Sequence, residues 1–154
     1  MWLSIMDTSR RYFSYRLACD LLPGIVSLLR RAIKAKATRT KAQEDLKAYK
    51  QRLVLAGGAY PNRNRISAYV DLAQTSHESM KQCVDSILDQ GVEVKDLDRG
   101  LIDFPALYQG QPVYLCFHLG EDTITHWHGF EEGFAGRKRI SQDFIDQLDA
   151  GFSS

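Results

Sequence analysis

His126 and His128 lie two residues apart in a run of β-forming residues. Strand side chains alternate between faces, so both imidazoles fall on one side. That spacing suits two ligands of one zinc, iron or manganese ion. Glu121, Asp103, Cys116 and His118 are the nearby residues that could supply a third ligand. His126, His128 and Glu121 make up the candidate divalent-metal set. An exposed strand His126 and a buried His128 bonded to a carboxylate would satisfy the same short pattern without any ion. A second set is Asp103, Glu121, His128 and Arg137. A carboxylate orients a histidine as a general base, and an arginine recognises a carboxylate or phosphate through two parallel bonds. The same four residues also suit an internal network that fixes the sheet.

Two further features could carry chemistry. Cys116 sits between Leu115 and Phe117. Such neighbours favour an inert, half-buried thiol over a nucleophile, which needs a lowered pKa and a nearby base. The run Gly133-Phe134-Ala135-Gly136-Arg137 offers backbone N–H groups to an anion. It lacks the Gly-Lys-Ser/Thr of a phosphate loop and reads as a glycine turn.

Hairpin register decides which of these residues meet. Strands at residues 111–118 and 123–128 pair across the turn Leu119-Gly120-Glu121-Asp122. An even-length loop sets Cys116 opposite Thr125 and Tyr114 opposite Trp127, with His126 and His128 opposite Leu115 and Val113. The histidines then share a face with Leu115 and Phe117, away from Cys116 and His118. An odd-length loop shifts the pairing by one residue and brings Cys116, His118, His126 and His128 together. Even loops are the commoner hairpins. The expectation is therefore the first register, no His–Cys cluster, and a His128 bonded to Asp103, to Glu121 or near Arg137.

The elements that must position these residues follow from periodicity. Ser14 is an N-cap candidate, and Leu17, Ala18, Leu21 and Leu22 continue one face. Pro23 predicts a break there and a fresh helix from Pro23 to Leu55. Its stripe of Ile25, Leu28, Leu29, Ala32 and Ile33 thins beyond Ala35, and Gly57-Gly58 ends it. A second helix spans about residues 65–90. The period then changes. Short β-rich runs at 92–95, 101–104, 111–118 and 123–128 are separated by turn residues. Pro105 is placed at a strand end, where a missing N–H is tolerated. Ser141 caps a last short helix with Phe144, Ile145 and Leu148 inward. The fold class is α+β: a long N-terminal antiparallel helical hairpin (1–90), an antiparallel β-meander of three to four strands (91–139) and a C-terminal helix (140–154), as one domain of 154 residues.

Composition limits the function classes. The chain is 44% hydrophobic and 25% charged, as in ordinary globular proteins. Three scattered cysteines, Cys19, Cys83 and Cys116, argue for a reducing compartment. In MWLSIMDTSRR the apolar residues precede the arginines, the wrong order for a signal peptide and too short to span a bilayer. The expected location is the cytoplasm, with no membrane association. Residues 1–90 hold 15 Lys and Arg against 8 Asp and Glu, and residues 91–154 hold 5 against 11. Opposite halves of that kind suit two pieces that attract each other, or a homodimer in which one copy meets the other's opposite half; each half solvating its own surface gives the same pattern. The basic run from Arg30 to Arg52 can track phosphates, but it lacks interleaved aromatics apart from Tyr49 and reads as a solvated face rather than a nucleic-acid surface.

The motifs RYFSYRLACDLLP, GVEVKD-x-D-x-GLIDFPA, VYLCFHLGE and WH followed by GFAGR resemble domain of unknown function (DUF) family 2203, small bacterial proteins without an assigned activity. The matching positions are Asp103-Phe104-Pro105, Cys116, Gly120-Glu121, Trp127-His128, Gly133, Gly136 and Arg137. His118 and His126 depart from the family pattern. The resemblance implies a fold and no reaction. The function expected is a self-associating or small-ligand-binding module, with a metal-dependent or acid/base enzyme centred on His128, or a weak nucleic-acid binder, as alternatives.

Overall fold

The structure is a computed structural model that describes residues 10–152. The N-terminal run read above against a signal peptide lies largely outside the described residues. The elements are α1 (Tyr15–Leu55), α2 (Arg63–Asp89), β1 (Glu93–Asp96), β2 (Leu101–Tyr108), β3 (Gln111–His118), β4 (His126–Gly129), β5 (Lys138–Arg139) and α3 (Gln142–Ala150). A helix pair, an antiparallel sheet of order β1-β2-β3-β4-β5 and a short helix make the protein α+β. The sheet has five strands, where three to four were expected. The short β5 follows a 3-10 turn at Phe134–Gly136 and pairs with β4. No helix among the described residues is long and apolar enough to cross a membrane.

The chain divides into two compact units, one of residues through Ser27 together with Ile87 onward, the other Leu28–Ser86. In the second unit the two helices run antiparallel. Tyr49 Oη accepts from the Asn62 N–H at 2.9 Å, Arg39 Nη1 lies 3.0 Å from His77 Nδ1, and the Tyr49 and Tyr69 rings stand 6.4 Å apart. Asn62 Oδ1 accepts from the Arg65 N–H at the start of α2. Leu29, Ala32, Ala42, Tyr49 and Cys83 are buried there, whereas Val54 and Leu55 are 76% and 87% exposed.

In the first unit Ser14 caps α1 as expected, with the Leu17 N–H donating to Ser14 Oγ at 3.0 Å. The Asp149 carboxylate accepts from the Tyr15 N–H at 2.7 Å, placing negative charge at the positive end of the helix. The expected break at Pro23 is absent, and α1 continues through it. Pro23 and Gly24 are exposed, while Ala18, Leu22 and Ile25 pack on the opposite side. A proline inside a helix costs about 3 kcal/mol. Burying Leu22 and Ile25 offsets that at about 1.5–3 kcal/mol each.

β2 runs to Tyr108, beyond the expected end at Phe104, and holds Pro105 in its interior. The Pro105 carbonyl accepts from the Phe13 N–H at 2.8 Å, away from β3. A strand residue's N and O point the same way, so the missing N–H also falls on the side that β3 does not use. β1 has ended by this point, its pairing reaching only Asp103. β2 and β3 join through Gln109 and Gly110, both with positive φ, a two-residue turn whose twist matches the strands. One face of the sheet carries Ile102, Phe104, Leu115, Phe117 and Trp127. Phe13 meets Phe104 edge-on at 5.3 Å, and Phe144 of α3 stacks on Trp127 at 4.7 Å.

The β3–β4 register is the odd one. β4 begins at His126 rather than Thr123, and the pairs are Cys116↔His126, Leu115↔Trp127 and Tyr114↔His128. The connection spans residues 119–125 instead of a four-residue turn. Its path is fixed from outside the hairpin. The Leu119 N–H donates to the Gly100 carbonyl, Ile124 is fully buried, and Tyr15 Oη donates to the Ile124 carbonyl at 2.8 Å. The histidines therefore lie on the face of Cys116, not on that of Leu115 and Phe117.

Candidate functional site

The corrected register builds a polar row across all five strands. Glu93, Asp103, Cys116, His126 and Arg139 are successive partners from β1 to β5. Tyr114 and His128 pair in the next row on the same face. The segment between β4 and β5 folds back over this face. Phe130 stacks on Tyr114 with ring centroids 4.1 Å apart, and Phe134 meets His118 edge-on at 5.5 Å. Arg137 Nη2 donates to Glu121 Oε1. Gly136 lets this segment close, since a Cβ there would stand 3.0 Å from a Glu132 carboxylate oxygen. Within the run 133–137, Phe134–Gly136 form a 3-10 turn. Beneath the segment lies a cavity of about 310 Å³. Lys95, Arg99, Tyr114, Phe130 and Phe134 wall it, and Asp103, Cys116 and His128 line it as well.

Asp103, Cys116 and His128 are 2%, 2% and 4% exposed. Their potential ligand atoms all lie within 4.8 Å of one another. His128 Nδ1 stands 2.9 Å from the Gly129 carbonyl, and Nε2 stands 3.0 Å from Asp103 Oδ2. A carbonyl only accepts, so Nδ1 carries a proton and donates it. Nε2 and the carboxylate then share one further proton, because an unprotonated Nε2 and an ionised carboxylate would be two acceptors facing each other. Burial pushes the Asp103 carboxyl up, against the pull of His128. Burial, with the Asp103 charge beside it, also pushes the Cys116 thiol up to about 12. Arg137, bonded and charged beside the same sulfur, opposes that rise.

The four residues Asp103, Glu121, His128 and Arg137 therefore form two pairs, Asp103–His128 and Glu121–Arg137, with Cys116 between them. Burial alone would raise the Glu121 pKa, but Arg137 and the His118 N–H, which donates at 2.9 Å, hold it below the usual range.

The metal set His126, His128 and Glu121 does not come together. His126 Nδ1 is 2.8 Å from Thr125 Oγ1 and 3.9 Å from Glu121 Oε1, while His128 is turned to Asp103 and Gly129. Among the described residues the metal-type cluster is Asp103, Cys116 and His128; it shares only His128 with the set His126, His128 and Glu121, while Asp103 and Cys116 are among the residues read above as possible third ligands. Lys95, Arg99, Tyr114 and Phe130 were not singled out as site residues. The alternation Tyr114, Cys116, His118 in VYLCFH was the available signal for Tyr114. Nothing local marked Phe130 or Arg99.

The fold and its site define a small α+β domain with a polar sheet face closed over by the β4–β5 segment. A family model described as Uncharacterized conserved protein (DUF2203) matches residues 11–140, and the chain belongs to that family. No curated protein and no solved structure matches it.

Proposed function

We propose that the protein is a small-ligand-binding module whose site is the cavity between the sheet and the β4–β5 segment. One observation carries the reading: a cavity of about 310 Å³ walled by aromatic rings has ionisable groups buried against it. Ligand sites are concave and apolar with a few convergent polar groups. Lys95, paired with Glu93 at 3.1 Å, and Arg99 are the cations of a wall that also carries Asp96 and Glu132, and they are the groups that would meet an acidic part of a ligand. With its thiol pushed up to about 12, Cys116 is a poor nucleophile, which favours binding over thiol catalysis. Thermal unfolding of the wild type and of a Lys95→Ala/Arg99→Ala variant, against a panel of small carboxylates, phosphates and nucleosides, tests this. At least one compound should raise the wild-type melting temperature and act less on the variant, because a ligand stabilises only the state that binds it. A panel without a stabiliser, or one acting equally on both proteins, would sink the reading.

A second reading, self-association through the unit Leu28–Ser86, has its own support. Val54 and Leu55 at the end of α1 are 76% and 87% exposed, and Tyr60 in the connection to α2 is 100% exposed. A second copy would cover them. Sedimentation at micromolar concentration should give a dimer, and a clean monomer would remove the idea.

A further inference from the structure

We infer that Asp103, Cys116 and His128 form a site for one zinc-class divalent ion, with an open coordination position facing the cavity. This goes beyond the ligand reading above and does not require it. The three residues come from three neighbouring strands and offer oxygen, sulfur and nitrogen. Three protein ligands with a fourth position open is the pattern of reactive rather than purely structural zinc sites.

The distances are close to what an ion needs. Ligand atoms bound to one tetrahedral ion at about 2.0–2.3 Å stand roughly 3–4 Å apart. The three donors here lie within 4.8 Å, so modest side-chain movement closes the set. His128 is already oriented as a ligand. Its Nδ1–H bond to the Gly129 carbonyl fixes the tautomer and aims the Nε2 lone pair at Asp103, and metal-bound histidines are held by outer bonds of this kind. The gap between Nε2 and Oδ2 needs a positive charge, which is a proton in the empty protein. On metal binding that proton and the Cys116 thiol proton leave to solvent, and bonds to the ion from Nε2, Sγ and a carboxylate oxygen replace them. A thiolate and an imidazole select zinc over magnesium or calcium.

The test uses the full chain, stripped with a chelator and titrated with zinc alone in competition with a chromophoric chelator. One equivalent per chain should bind. Cobalt in place of zinc should show a near-ultraviolet thiolate-to-cobalt charge-transfer band. Cys116→Ser and His128→Gln should each weaken zinc by more than the roughly 10–100-fold that loss of an outer partner costs. His126→Ala should bind as the wild type does. Far-ultraviolet circular dichroism reports whether each variant is folded, and the wild-type cobalt spectrum decides the matter where one is not. Wild-type protein that binds no zinc, a bound cobalt ion without the thiolate band, or a folded Cys116→Ser variant of unchanged affinity would overturn the site. A loss in His126→Ala equal to that in His128→Gln would likewise overturn it, because His126 is outside the proposed ligand set. An ion bound here while no organic compound stabilises the protein would separate this inference from the ligand reading.

Discussion

The sheet and the Leu28–Ser86 hairpin place their side chains by different rules. β2 buries six consecutive residues and β3 five, on both faces of the sheet. The hairpin unit buries Leu29, Ala32, Ala42, Tyr49 and Cys83 and leaves Val54, Leu55 and Tyr60 in solvent. Asp103 and His128 stay buried at the cavity's edge because the packed strands around them and the Gly129 carbonyl hold both partners of the shared proton. A binding geometry needs that kind of support. The hairpin has less of it, with Val54, Leu55 and Tyr60 left in solvent.

Core truncation should give the largest contrast between the two regions. Phe104 is fully buried and meets Phe13 edge-on. Phe104→Ala should cost about 3–5 kcal/mol in denaturant unfolding. Val54→Ala should change stability by no more than about 0.5 kcal/mol, as surface substitutions do. A Val54→Ala cost that approaches the Phe104 value and grows with protein concentration would break the comparison by showing that the hairpin packs against a second copy.

Glycines sharpen the contrast at an intermediate scale. Gly57 and Gly100 have similar backbones, with φ of +78° and +66°. Around Gly57 a Cβ would meet nothing within 4 Å, whereas at Gly100 it would stand 2.4 Å from Leu119 Cβ. Gly57→Ala should cost only the left-handed backbone penalty, about 1–2 kcal/mol. Gly100→Ala should add an overpacking cost of about 1–3 kcal/mol. Equal melting temperatures for the two variants would show that Leu119 gives way freely.

The same difference explains what the sequence revealed. Period and punctuation are local, so the helix pair, the meander and the Ser14 and Ser141 caps were legible. The misread boundaries were set by contacts from far along the chain. Thr123-Ile124-Thr125 has strand composition, yet Tyr15 and the burial of Ile124 hold it as a connection. Pro105 sits inside β2 because Phe13 takes its carbonyl. Pro23 is tolerated because it falls on the exposed side of α1. The site inherited this uncertainty through a single step of register. Asp103 was among the expected partners of His128, but Cys116 joins them only when the β3–β4 connection has odd length.

The smallest expected effect compares ion pairs. Arg137–Glu121 has side chains 17% and 18% exposed, whereas Lys41–Asp45 in the hairpin has 75% and 41%. Glu121→Gln should cost about 1.5–3 kcal/mol near neutral pH, the range for a hydrogen bond to a charged group. Asp45→Asn should cost about 0.3–0.5 kcal/mol, as for exposed helix pairs. Glu121 and Asp103 contribute to pH-dependent stability with opposite sign. The Glu121 pKa is lower folded than unfolded. Its contribution is therefore present above the unfolded value of about 4.3 and is lost as pH falls through the folded value. Asp103 shifts the other way, raised by burial, so its contribution is present below its unfolded value and lost as pH rises through its folded one. The stability difference between wild type and Glu121→Gln cancels the Asp103 part. Measured by denaturant unfolding from neutral pH downward, that difference should hold constant until the acid range and then shrink toward zero. A difference that stays flat through the acid range would mean that Arg137 does not hold Glu121, and that the polar face of the sheet is no better fixed than the hairpin.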